Sequence, residues 1–95
     1  MKVRYTRRAT DDLTDILSYI AKDNPYAAVR VVERIEAVAA HLEHAPESGS
    51  PTDKPGIRRV SVVTYPYLIF YETLRDEIAI VHIRHGARRP WAQPR

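Results

Sequence analysis

Asn24-Pro25 divides the first half of this chain, and that division limits the possible folds more than any other feature. Asparagine is a strong helix cap, and proline at a first helical position gives up no hydrogen bond that the helix needs. Before the break, Ala9, Leu13, Ile16, Leu17 and Ile20 recur at helical spacing. After it, Ala28, Val31, Val32, Ile35, Val38, Ala39 and Leu42 mark a second stripe of about five turns, which Pro46 stops. Thr6 can cap the first helix, whose opening turns carry Asp11 and Asp12 where negative charge suits the dipole. Two stripes joined by so short a turn predict an antiparallel helical hairpin, which must bury its apolar side on something else.

The second half supplies that surface. Ile57 to Val63, Tyr67 to Tyr71 and Ile78 to Arg84 read as strands, the last apolar enough to be central. Thr73 to Glu77 is a plausible hairpin loop, and Lys2 to Tyr5 alternates enough for a short opening strand. Ala45 to Gly56, with prolines 46, 51 and 55, reads as a surface loop. The order βααβββ predicts an α+β fold with the helical hairpin on one face of a mostly antiparallel sheet.

At 95 residues the chain fits a single domain spanning 1–95. It has no cysteine, which excludes disulfides and thiolate metal sites. No apolar run approaches the roughly 18 residues of a membrane span, so no membrane role and a cytoplasmic location are expected. The net charge of +3 hides an asymmetry. Residues 1–53 hold 7 basic and 9 acidic side chains, whereas residues 54–95 hold 8 basic and 3 acidic. A basic second half suits nucleic acid, a ribosome or an acidic protein.

Candidate functional residues gather at the end of the last strand. His85, Arg88, Arg89 and Trp91 combine cations with an aromatic, fit for phosphate or an acidic loop. Period-2 geometry sends Arg58 and Arg59 to opposite faces, and Arg59, beside Ser61, is the better candidate for that cluster. The same counting puts His82 on one face with Ile80 and Arg84, as a satisfied, partly buried histidine. Tyr65, Tyr67, Phe70 and Tyr71 could stack on bases, although their alternation assigns half of them to core or interface. His41 and His44 lack a third ligand, so no metal site is expected, and nothing resembles a cofactor-binding motif.

Taken in order, the motifs resemble the RelE/ParE superfamily of toxins from type II toxin–antitoxin modules. They are Thr6-Arg7-Arg8-Ala9, Asp12-Leu13, Tyr19-Ile20, Asn24-Pro25, Leu42 with Pro46 and Gly49, Ile57-Arg58, Tyr65-Pro66-Tyr67, and His85-Gly86 with Arg88 and Pro90. The resemblance implies a growth-inhibiting toxin neutralised by a ParD- or RelB-like antitoxin, with operator DNA met only through that antitoxin. Leu13, Leu17, Ile20, Val31, Ile35, Tyr67 and Tyr71 are the residues expected to meet it.

The superfamily has two branches. RelE-like members cut messenger RNA on the ribosome, and ParE-like members poison DNA gyrase. Cleavage needs a base, cations for the phosphorane and an acid. A RelE-like set here would draw on Arg59, His85 and Arg88, but Ser61 and Leu68 stand where that branch carries further basic residues. The resemblance therefore implies the ParE-like branch, with Arg59, His85, Arg88, Arg89 and Trp91 meeting the target. The alternatives are a RelE-like ribonuclease and a non-toxic basic module that binds nucleic acid.

Overall fold

A computed structural model describes residues 1–86. Strand β1 (Lys2–Tyr5) leads into helices α1 (Arg7–Ala21) and α2 (Pro25–His41). Strands β2 (Ser50–Pro51), β3 (Ile57–Val62), β4 (Tyr67–Thr73) and β5 (Glu77–His85) follow. The sheet order is β1-β5-β4-β3-β2. Every neighbouring pair is antiparallel except β1 and β5, which run parallel with Val3 beside Ile78 and Tyr5 beside Ile80. The predicted α+β layout is the observed one, with the short β2 added inside the stretch read as a loop.

Both predicted caps form. The Asn24 side chain accepts from the Ala27 N–H at 3.0 Å, and Pro25 opens α2. Thr6 does more than cap α1. Its hydroxyl accepts from the Ala9 N–H at 3.2 Å and donates to the Ile80 carbonyl at 2.9 Å. The Thr6 N–H donates to the same carbonyl at 3.0 Å. One residue thus ends the β1–β5 pairing and starts the helix. Asp11 and Asp12 fall beyond the first turn of α1, where the dipole has faded, so the expected dipole role is not theirs.

The helices cover one face of the sheet. Val31, Ile35, Ala39 and Leu42 of the α2 segment pack with Val62, Tyr67, Ile69, Tyr71, Ile78, Ile80 and Ile83. α1 is held less deeply: Ala9 is its one fully buried residue, and Leu13, Ile16 and Ile20 are half-buried. The expected surface loop is pinned in its first half. The buried Tyr71 hydroxyl donates to the Pro46 carbonyl at 2.8 Å and accepts from the Gly49 N–H at 2.9 Å. A Cβ at Gly49 would sit 2.7 Å from both the Arg59 carbonyl oxygen and Tyr71 Oη, so only glycine lets the chain pass. Among the described residues, no helix is long and apolar enough to cross a membrane.

Candidate functional site

A β-bulge decides which side chains can meet. Opposite β4, the pairing runs Tyr67–His85, Leu68–Arg84, Ile69–Ile83 and Phe70–His82, then jumps to Tyr71–Ile80. Val81 is the extra residue, and past it every side chain of β5 changes face. Ile80 and Ile83 therefore both point at the helices, while Arg84 joins the opposite, helix-free face. Simple alternation had grouped Arg84 with Ile80, and the bulge corrects this.

The helix-free face gathers Arg59, Ser61, Leu68, Phe70 and Arg84 by register across β3, β4 and β5. Phe70 is buried but stands apart from the helix-side core. The Arg84 guanidinium lies over its ring, with Cζ 5.3 Å from the centroid, within cation–π range. Arg84 also donates from Nη1 to the His85 carbonyl at 3.1 Å. Burial pushes the Arg84 pKa below its ordinary value, and the charge of Arg59 adds to the effect. Arg59 itself is exposed, and no salt bridge holds it among the described residues. Arg58 faces the other way and donates to the Gly49 carbonyl at 2.7 Å, which gives it a structural role.

His82 sits where β5 runs past the end of β1. Its ring stacks on Phe70 with centroids 5.7 Å apart, and its Nδ1 lies 2.8 Å from Asp12 Oδ2. A carboxylate only accepts, so Nδ1 carries the proton. The same oxygen accepts the Ile83 N–H at 3.0 Å. Asp12 thereby occupies a free edge amide of the sheet and ties α1 to β5. Burial lowers the His82 pKa more than Asp12 raises it, so the ring is held neutral.

His85 is on the helix side. Its ring meets Tyr67 edge-on at 5.4 Å, beside a groove of about 270 Å³ that Asp12, Asp15, Ile16 and Tyr19 of α1 also line. The sheet thus separates His85 from Arg59, two residues the sequence reading grouped in one site. Arg88, Arg89 and Trp91 lie outside the described residues. Arg84 is the residue that sequence reasoning missed: only a bulge places it beside Arg59, and no periodicity announces one. Among the described residues, no group of three or more histidine, aspartate or glutamate side chains could hold a metal ion.

This architecture and these residues can be set against known proteins. The family model described as the ParE toxin of the type II toxin–antitoxin system, parDE, matches residues 3–90. The chain belongs to the ParE toxin family. It is similar to the toxin RelE2 of Caulobacter vibrioides, with 39% identity over 87 residues, covering 92% of this chain and 97% of that one. The toxin ParE2 of Mycobacterium tuberculosis is 28% identical over 90 residues, covering 94% of this chain and 85% of its own. A solved structure described as a chromosomal ParDE system from P. aeruginosa matches with a TM-score of 0.81 and 26% identity. That match covers 90% of this chain and 95% of the other. The relatives of this ParE-family chain carry both branch names, RelE and ParE.

The residues expected to meet an antitoxin divide by burial. Val31, Ile35, Tyr67 and Tyr71 lie in the core and present almost no surface in the free chain. Leu13 and Ile20 are half-buried, and Leu17 is 38% exposed. The helices also expose Tyr19, Tyr26 and Val29, which the sequence reading did not select.

Proposed function

We propose that this ParE-family chain is a toxin that arrests growth by inhibiting DNA gyrase and is neutralised by a cognate antitoxin. The observation that carries the choice of target is the placement of Arg59 and His85 on opposite faces of the sheet. A ribonuclease must bring an acid–base pair and a cation to one phosphate. Here the cations Arg59 and Arg84 stand beside Ser61, Leu68 and Phe70, and none of these three is an acid–base group at neutral pH. His82, on the same face, is buried and engaged with Asp12. Inhibition by binding needs no such constellation.

An antitoxin partner is supported by the ParDE system whose solved structure the chain resembles. The exposed Leu17, Tyr26 and Val29 give the helical hairpin apolar surface for it. Expression of the chain alone should arrest bacterial growth, and co-expression of its antitoxin should restore it. With gyrase as target, a DNA-damage reporter responds and the purified chain inhibits supercoiling. Cleaved transcripts without inhibition of supercoiling would transfer the chain to the ribonuclease branch.

A further inference from the structure

We propose that the turn between β3 and β4 is a contact through which the chain holds a protein target, with Val63 inserted in an apolar pocket of that protein. This contact rests on the growth-arresting function proposed above, and not on gyrase being the target. The Val62 carbonyl accepts the Tyr65 N–H at 3.1 Å, closing a β-turn around Val63 and Thr64. Thr64 has a φ of +79°, and among the described residues no other residue except glycine has a positive φ. A negative φ at Val63 followed by this value is a type II turn, whose third position suits glycine or asparagine. A β-branched residue there is strained by its Cβ, and glycine would relieve the strain. Thr64 is exposed, and its hydroxyl donates to the adjoining Val63 carbonyl. Val63 itself leaves 66% of its surface in water, and among the described residues no other valine, leucine or isoleucine is as exposed. Two consecutive residues thus run against local stability, one through its backbone and one through its hydration. Such choices persist where a contact outside the chain uses the side chains.

The turn is firmly held from below. Val62 is buried, Tyr65 packs against the core, and the Tyr67 N–H donates to the Tyr65 carbonyl at 2.9 Å. The Pro66 carbonyl accepts the Gly86 N–H at 2.6 Å, which ties the turn to the end of β5. Val63 and Thr64 therefore stand on a fixed corner, and little ordering entropy opposes their burial in a partner. The chemistry of the corner selects a protein. Residues 61–67 carry no charge at neutral pH, whereas nucleic acid is held chiefly by cations on its phosphates. An isopropyl group beside a hydroxyl fits a small apolar pocket with a polar rim. Tyr67 pairs with His85, so the turn shares its end of the sheet with a residue expected to meet the target. The exposed Leu17, Tyr26 and Val29 offer the antitoxin a separate surface on the helices.

Variants of the full chain test this through the amount of protein needed to arrest growth, with melting curves and antitoxin affinity measured beside it. Thr64→Gly should raise the melting temperature by roughly 2–8 °C, because it relieves strain. The same variant should need about ten times more protein to arrest growth. Instability cannot explain a loss of activity in a chain that has become more stable. Val63→Ser should melt within about 2 °C of the wild type and lose activity at least as strongly. Val63→Ile, which stays apolar, should recover most of that loss. Antitoxin affinity should keep its wild-type value throughout. Undiminished growth arrest by both Thr64→Gly and Val63→Ser would overturn the contact. Weaker antitoxin binding with undiminished arrest would overturn it too, reassigning the corner to the antitoxin. A lower melting temperature in Thr64→Gly would remove the strain on which it stands. A wild type that arrests growth without inhibiting supercoiling would remove gyrase alone, and the same losses in the variants would still support this contact. A wild type without any growth arrest would overturn both.

Discussion

His82 donates from Nδ1 to Asp12 at 2.8 Å, joining the last strand to the first helix across a sequence separation of 70 residues. The same carboxylate oxygen takes the Ile83 N–H, so one acidic side chain satisfies two buried donors. Asp12→Asn keeps an acceptor but loses the charge; Asp12→Ala leaves both donors unmet. The alanine variant should lose about 1–3 kcal/mol in urea unfolding, with the asparagine variant between it and wild type. An alanine variant as stable as wild type would show that the contact contributes nothing to stability.

His82 also sets a pH dependence. Its folded pKa is lowered from 6.5, by burial first and then by Arg8 and Arg84, against the opposing pull of Asp12. Below a pH of about 6.5 the unfolded chain binds the proton first. The contribution is therefore complete above that value and is lost as the pH falls through the lower folded pKa. Melting temperature should drop between about pH 7.5 and 5.5, and His82→Gln should flatten part of that drop. An identical slope in the variant would remove His82 as its source.

Tyr71→Phe deletes a hydroxyl that both donates to Pro46 and accepts from Gly49. The buried Gly49 N–H is then left without that acceptor, so a loss of about 1–3 kcal/mol is expected in denaturant titrations. Gly49→Ala should be destabilising as well, by overpacking against Arg59 and Tyr71. Wild-type stability in both variants would mean that the loop is not anchored there.

The two helix caps differ in reach. Asn24→Ala removes a local cap and should cost about 1 kcal/mol. Thr6→Ala removes a cap and a bond to Ile80 together, so its cost should be about twice as large. Equal losses by thermal melting would reduce Thr6 to an ordinary cap.

Tyr5 should titrate late. Burial, with a smaller contribution from the charge of Glu36, pushes its phenol up to about 12. The unfolded phenol ionises near 10, so stability is lost as the pH rises from there through the folded value. Ultraviolet titrations of the wild type and Tyr5→Phe should differ by one late-ionising tyrosine. Tyr5→Phe should move alkaline unfolding to higher pH, and an unchanged midpoint would contradict the assignment.

Much of the fold was legible because its signals are local. Thr6 and Asn24-Pro25 start helices through bonds to amides within three residues, and alternation in β3 and β4 needs only the pleat. The α1 dipole assignment failed because Asp11 and Asp12 lie past the first turn, and Asp12 instead serves a strand distant in sequence. Four residues expected at an antitoxin interface are apolar for a different reason: Val31, Ile35, Tyr67 and Tyr71 fill the chain's own core. An apolar stripe records that a surface is buried, and does not record by whom.

The sequence by itself determined the α+β order, the helix starts and the family, since each rests on residues close together or on motifs in fixed order. Only the tertiary structure decided the composition of the site. Val81 bulges because strand pairing with β4 shifts register there, and that shift moves Arg84 to the face of Arg59 and His85 to the face of the helices. Pairing is a contact between distant segments, and its one-residue offset leaves no mark in the local alternation of β5.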